Sequence, residues 1–262
     1  MKHNSIKAFI LLLSASALLS ACGLPLPGAN GGQTQSAATG DSSQTQAAPV
    51  ATPTAEKYFQ EDFNGDLSNW SQFVVDATKV AKGGNPSLAD ASFGKMTVGV
   101  TDGFLVFDLE SIGQWAYAAY DPQAYDDVHV EVSAENRGNS DNSVSLICRY
   151  DPADGWYEFV IANTGRYSID YVITKSDKTT IYSKLADGGF SKIKSGKDTN
   201  QYGATCQGRT LTLSINGVDV KTIDDNQYVL KKGKIGLSVS SSFKTANLPT
   251  KVGIDWIKIS QP

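Results

Sequence analysis

The sequence predicts an all-β protein built as an antiparallel two-sheet sandwich. Three observations carry that reading. First, Ser143–Ile173 reads as three successive strands, Ser143–Tyr150, Trp156–Ile161 and Arg166–Ile173. Asp151-Pro152-Ala153-Asp154-Gly155 and Asn163-Thr164-Gly165 join them, and these residue types preset or permit turn dihedrals. In the third strand Tyr167, Ile169, Tyr171 and Ile173 share one face, while Arg166, Ser168 and Asp170 share the other. Second, Asn216-Gly217 sits between alternating runs over Leu211–Val220, the signature of a two-residue type I′ hairpin. Third, no segment longer than about ten residues keeps a helical period, and turn residues recur between short strands at the spacing of a sandwich.

Taken in order, the chain of 262 residues opens with a segment that does not belong to the sandwich. Met1–Ala21 has Lys2 and Lys7 and then an apolar run, the pattern of a signal peptide and too short for a membrane span. It ends Leu19-Ser20-Ala21-Cys22, which resembles the bacterial lipobox. That resemblance implies cleavage before Cys22 and lipidation there, a diacylglycerol thioether with an N-acyl chain of the palmitate type. Such chains anchor firmly, each buried methylene contributing about 0.8 kcal/mol. Gly23–Thr54 lacks large apolar residues beyond its first few and reads as a disordered tether with a mean reach of roughly 30 Å. The expected division is 1–21 signal peptide, 22–54 lipidated cysteine and tether, and 55–262 β-sandwich.

Charge and cysteines narrow the class. The whole chain has a formal net charge of −4, and loss of Lys2 and Lys7 makes it more negative. An acidic surface argues against nucleic acid and against charge-driven docking on anionic lipid. With Cys22 spent on lipid, Cys148 and Cys206 remain as an even pair in an oxidising compartment, and a disulfide between them is expected. It would close a long loop and contribute roughly 4 kcal/mol in the chain-entropy description.

Within 55–262 the expected strands are Tyr58–Phe63, Lys95–Val100, Phe104–Leu109, Ala116–Tyr120, Val128–Ala134, the three above, Thr179–Ser183, Gln201–Gln207, Thr210–Asn216, Val218–Asp224, Lys234–Ser240 and Val252–Ser260. Glu61-Asp62-Phe63 and Trp70 open this region. Leu146–Tyr150, Gly155–Phe159, Leu211–Val220 and Gly233–Leu237 fill its middle, and Ile254–Ile259 closes it. This series resembles the concanavalin A-like lectin/glucanase superfamily, and within it the laminin G-like jelly rolls and the 3-keto-disaccharide hydrolase domains. The resemblance implies a jelly roll whose first and last strands pair, with Phe63 and Trp256 in the core. It also implies sugar binding, glycoside hydrolysis or an extracellular module role.

The chemistry is sparser. Val128–Glu135 is similar to the acidic strand of the superfamily's glucanases, but its central acid is missing, because Ser133 stands two residues after Glu131. Glu131 and Glu135 lie ~13 Å apart on one strand, too far for a retaining pair. Glu131, Glu158 and Asp170 are the carboxylates to watch if neighbouring strands bring them together. The lone strand histidine, His129, has no evident nucleophile. Asp62-Phe63-Asn64-Gly65-Asp66 spaces oxygens as a calcium loop does, and Leu67 and Phe73 exclude an EF-hand. The superfamily resemblance implies structural calcium, with Asp62 and Asp255 as its residues; no other cofactor is indicated. Of the many aromatics, Trp156 is expected to face outward with Arg149, Glu158 and Arg166 as a ligand-binding group. The sequence therefore predicts an envelope lipoprotein, lipid-anchored outside the cytoplasmic membrane, that binds glycan or an extracellular protein without catalysis. The alternatives are a carbohydrate-active hydrolase or lyase, or a structural module.

Overall fold

The computed structural model describes residues 56–82, 84–89, 95–139 and 141–262. The expected signal peptide, Cys22 and tether lie outside the described residues. The strands are β1 (Phe59–Glu61), β2 (Trp70–Val80), β3 (Pro86–Ala89), β4 (Met96–Thr101), β5 (Phe104–Leu109), β6 (Gln114–Tyr120), β7 (Val128–Asn136) and β8 (Ser143–Asp151). They continue as β9 (Gly155–Ala162), β10 (Arg166–Thr174), β11 (Thr180–Gly189), β12 (Thr199–Gln207), β13 (Thr210–Ile215), β14 (Val218–Asp224), β15 (Lys234–Ser240) and β16 (Thr250–Ser260).

They form two antiparallel sheets. One runs β14-β13-β12-β7-β16-β5-β4, with β1 also on β16; the other runs β11-β10-β9-β8-β15-β6-β2-β3. We call them sheets A and B. Hairpins and meanders such as β8-β9-β10-β11 and β12-β13-β14 alternate with crossovers such as β7-β16, β16-β5 and β8-β15-β6, and the layered, curled sandwich is that of a jelly roll. As expected, the first and last strands pair, Phe59 opposite Ile259. The Asn216-Gly217 turn has φ of 51° and 77°, as a type I′ hairpin requires.

The core is the space between the inner faces. Sheet A contributes Leu105, Phe107, Val130, Val132, Leu213 and Ile257, and sheet B contributes Val74, Ala118, Leu146, Phe159, Ile169 and Leu237. Cys148 on β8 and Cys206 on β12 form the expected disulfide, which ties one sheet to the other. Phe63 is in the core, but Trp256 is not. A register shift between Ile254 and Trp256 turns the strand, so Ile257 takes the inward position and Trp256 is left half-buried.

The sequence reading also passed over β2 and β3. Phe73-Val74-Val75 is a continuous apolar run because β2 is buried on both sides. Val74 points into the core, and Val75 lies on the opposite face of sheet B. Alternation, the signal of a half-exposed strand, is therefore absent there.

Candidate functional site

The second face of sheet B is where chemistry-bearing side chains gather. Alternation places Ser145 and Ile147 of β8, Trp156, Glu158 and Val160 of β9, and Ser168 and Asp170 of β10 on the side away from the core. Cross-strand register then sets Ile147, Glu158, Asp170 and Lys184 side by side in one row. Opposed strand residues have Cβ atoms about 5 Å apart, so Glu158 and Asp170 stand side by side on this face.

This face is concave and roofed. Register shifts at Cys148/Asp151, Ile169/Asp170 and Asp76/Val80 mark bulges, which bend and twist strands. Sheet B curls until its ends meet: Ser87 beside β3's start forms an antiparallel bridge with Thr179, and the Leu88 N–H donates to the Lys178 carbonyl at 2.9 Å. Tyr117 of β6 and Tyr182 of β11, five strands apart in the sheet, join hydroxyls across the hollow at 2.8 Å. The hollow is filled by a second apolar cluster of Val75, Tyr117, Ile147, Trp156 and Val172. Phe73 stacks on Tyr117 with ring centroids 4.5 Å apart, and Tyr150 meets Trp156 edge-on at 5.3 Å.

Glu158 lies inside this nest, 1 % exposed. The Trp156 indole N–H donates to it at 3.0 Å and the Tyr117 hydroxyl at 3.1 Å. Burial pushes its carboxyl up to about 7, against the hydrogen bonds from Trp156, Ser145 and Tyr117, and the neighbouring Asp170 adds to the rise. Asp170 is also raised, by burial first, while the Ser168 hydroxyl and the Lys184 charge oppose it. Burial holds Tyr117 and Tyr182 as neutral phenols.

The row reaches solvent beside Lys184. A pocket of ≈ 550 Å³ opens over β9, β10 and β11, lined by Val160, Ala162, Arg166, Ser168, Lys184 and Asp187 among others. Lys184 pairs with Asp187 at 3.2 Å. Behind Ser168 and Lys184 come Asp170 and then Glu158, so charge density runs from the pocket wall into the nest.

The structure sorts the expected site residues. Trp156, Glu158 and Asp170 come together, and Arg166 stands exposed on the same face at the pocket. Trp156 is 2 % exposed, so the expected outward platform is instead packed under its neighbours. Arg149 does not join them. Its backbone is left-handed, φ 55°, at the β8 bulge, so alternation breaks and Tyr150 takes the place on the aromatic face. The Arg149 guanidinium is buried at the end of the sandwich and donates to the carbonyls of Asp126, Gly208 and Leu230 and to the Asp127 carboxylate. Glu131 is on β7 of sheet A, beside Gly203 and Lys258, and cannot converge with sheet B's carboxyls. His129 bonds the Thr205 hydroxyl at 2.8 Å. Asp62 accepts from Gln60, and Asp255 is exposed on β16. Among the described residues no group of three or more His, Cys, Asp or Glu is placed to hold a metal ion.

The sequence reading missed Tyr182, Lys184 and Asp187. Ending the strand at Ser183 hid Lys184 and Asp187, whereas Tyr182 lay within the expected strand without being singled out; continuing the alternation of Thr180 and Tyr182 would have put Lys184 on the same face.

Fold and site together define a concanavalin A-like β-sandwich with a curled, acid-bearing face. Solved structures share this fold. The GH16 protein of a Bacteroides ovatus mixed-linkage glucan locus, held with a G4G4G3G product, matches at TM-score 0.55 and 16 % identity over 77 % of this chain and 99 % of that one. Bacillus licheniformis β-glucanase matches at TM-score 0.53 and 16 % identity over 79 % and 100 %. A prokaryotic β-1,3-1,4-glucanase (lichenase) from a mouse hindgut metagenome matches at TM-score 0.53 and 15 % identity over the same shares. No curated protein sequence matches the chain. The chain belongs to the 3-keto-alpha-glucoside-1,2-lyase-like domain family, whose model matches residues 58–251.

Proposed function

We propose that this protein is a lipid-anchored envelope module that binds saccharide without cleaving it, with the β9–β11 pocket as its binding site. The observation that carries the reading is the sealing of the acid pair. Glu158 and Asp170 are 1 % and 7 % exposed, beneath a roof that joins both ends of sheet B. A carboxyl must reach the glycosidic oxygen to transfer a proton to it, and here aromatic rings hold that space. The pocket itself offers Arg166, Lys184, Asp187 and Ser168 to solvent, the donors and acceptors that sugar hydroxyls take. The fold relatives that act on glucans and the family's 3-keto-glucoside name support saccharide as the ligand class. The Cys22 lipobox supports an anchor outside the cytoplasmic membrane.

A second reading rests on Glu158 itself. A carboxyl poised at about 7 beside another carboxyl is the pattern of an acid/base pair, and opening of the roof would make the protein a hydrolase or lyase.

One experiment separates them. The chain from Gly23 onward with Cys22 removed is presented to a glycan array, and each hit is assayed for released product. Binding without release, weakened by Arg166→Ala, supports the module. Release that disappears in Glu158→Gln establishes the enzyme. Silence on every glycan sinks both.

A further inference from the structure

A different pocket lies at the opposite end of β10 from Arg166. It measures ≈ 470 Å³ and sits between the β8–β9 turn and the β14–β15 loop, lined by Asp154, Tyr171, Tyr228, Val229, Lys231 and Lys232 among others. Its floor is a pair of tyrosine rings stacked at 3.7 Å with an 11° interplanar angle.

Both rings are held in place. The Tyr171 hydroxyl donates to the Asp154 carbonyl at 2.8 Å. Gly155, at φ 91°, lets the ring cross the turn, since a Cβ there would come within 3.0 Å of a Tyr171 ring carbon. Tyr228 is fixed through its loop. Asp225, buried at the loop's base, accepts the N–H groups of Gln227, Tyr228 and Val229 at 2.9, 3.1 and 2.7 Å, and the Tyr157 hydroxyl as well. The loop thus set carries Val229 at φ 50°, a backbone region that β-branched residues rarely adopt, with its side chain 37 % exposed. Beyond it stand Lys231 and Lys232, both exposed and neither in an ion pair among the described residues.

A rigid ring pair with two unpaired ammonium groups beside it is organised before any ligand arrives. Aromatic faces attract the C–H faces of pyranose rings, and ammonium groups attract carboxylates. The Asp154 carboxylate at the rim can accept from sugar hydroxyls. We propose that this pocket is a second saccharide site, selective for a sugar residue that carries a carboxylate. The sugar ring lies over Tyr228, and its carboxylate meets Lys231 and Lys232. The site is separate from the β9–β11 pocket and does not depend on it.

The test is calorimetric titration of the soluble chain with tri-galacturonate and with neutral maltotriose, at low and at high salt. The expected result is binding of the acidic trisaccharide alone, weakened by salt. Lys231→Gln with Lys232→Gln should weaken it about tenfold. Tyr228→Ala should abolish it, while Tyr228→Phe, which keeps the ring and the loop, should retain it. Arg166→Ala should leave it unchanged, which distinguishes this site from the other pocket. Equal binding of the neutral sugar, no binding of either, or loss on Arg166→Ala instead would overturn the proposal.

Discussion

At the scale of single residues, Glu158 stores a dependence on pH. Its carboxyl titrates at about 7 in the folded protein against 4.5 for an ordinary glutamate. Between those values the native state holds a proton that the unfolded chain has released. Stability is therefore greatest below the lower value and falls as pH rises toward the upper one. A shift of that size corresponds to about 3 kcal/mol once pH exceeds 7. Guanidinium unfolding of the parent and of Glu158→Gln, followed from pH 4 to pH 8, should show the variant gaining relative stability across the window. A constant difference at all pH values would mean that Glu158 is not held protonated. Asp170 is raised in the same direction and leaves some slope in the variant. This face is readable from sequence as far as strand alternation reaches, which groups Trp156, Glu158 and Arg166 and sets Asp170 on the face of Arg166; that Asp170 lies opposite Glu158 rather than near Glu131 is fixed by strand pairing. Arg149 was misplaced because a bulge depends on tertiary packing. Gly233, whose Cβ would lie 2.3 Å from the Arg149 carbonyl carbon, is part of that packing, and nothing at Arg149 itself announces it.

At the scale of elements, the roof is the feature that decides access. Its polar links among the described residues include one bridge at Ser87 and Thr179, carried by the Leu88 N–H on the Lys178 carbonyl, the Ser87 hydroxyl on that same carbonyl, and the side-chain hydroxyl pair of Tyr117 and Tyr182. Tyr182→Phe removes a hydrogen bond worth roughly 1 kcal/mol without emptying the hollow. Amide hydrogen exchange over Thr180–Lys184 and at Leu88 should quicken several-fold in that variant, with the rest of sheet B unchanged. Exchange equal to the parent would show that the aromatic packing alone holds the roof. None of this was legible beforehand. The roof depends on β3, a four-residue edge strand that opens on a proline, and on β2, whose burial on both faces erased its alternation. The Asn216-Gly217 hairpin was legible, because its turn chemistry is local.

At the scale of the molecule, the two sheets are joined by apolar contact and by one covalent link, Cys148–Cys206, across a sequence separation of 58. Replacing both cysteines by alanine should lower unfolding free energy by about 4 kcal/mol, and reductant should do the same to the parent but not to the variant. Denaturant midpoints with and without reductant measure it. Equal midpoints would mean that the link is absent in solution. The edges of the two sheets have a further consequence, for how copies of the domain meet one another. Sheet B's outermost strands meet at the Ser87–Thr179 bridge, which engages part of β3's outer row of N–H and C=O groups just before β11 begins. Sheet A ends in β14, where Asp219, Lys221 and Asp224 discourage strand addition, and in β4, where Thr97, Val98, Gly99 and Val100 carry no charge. Of these two strands, β4 is the one more open to strand addition by a neighbouring copy.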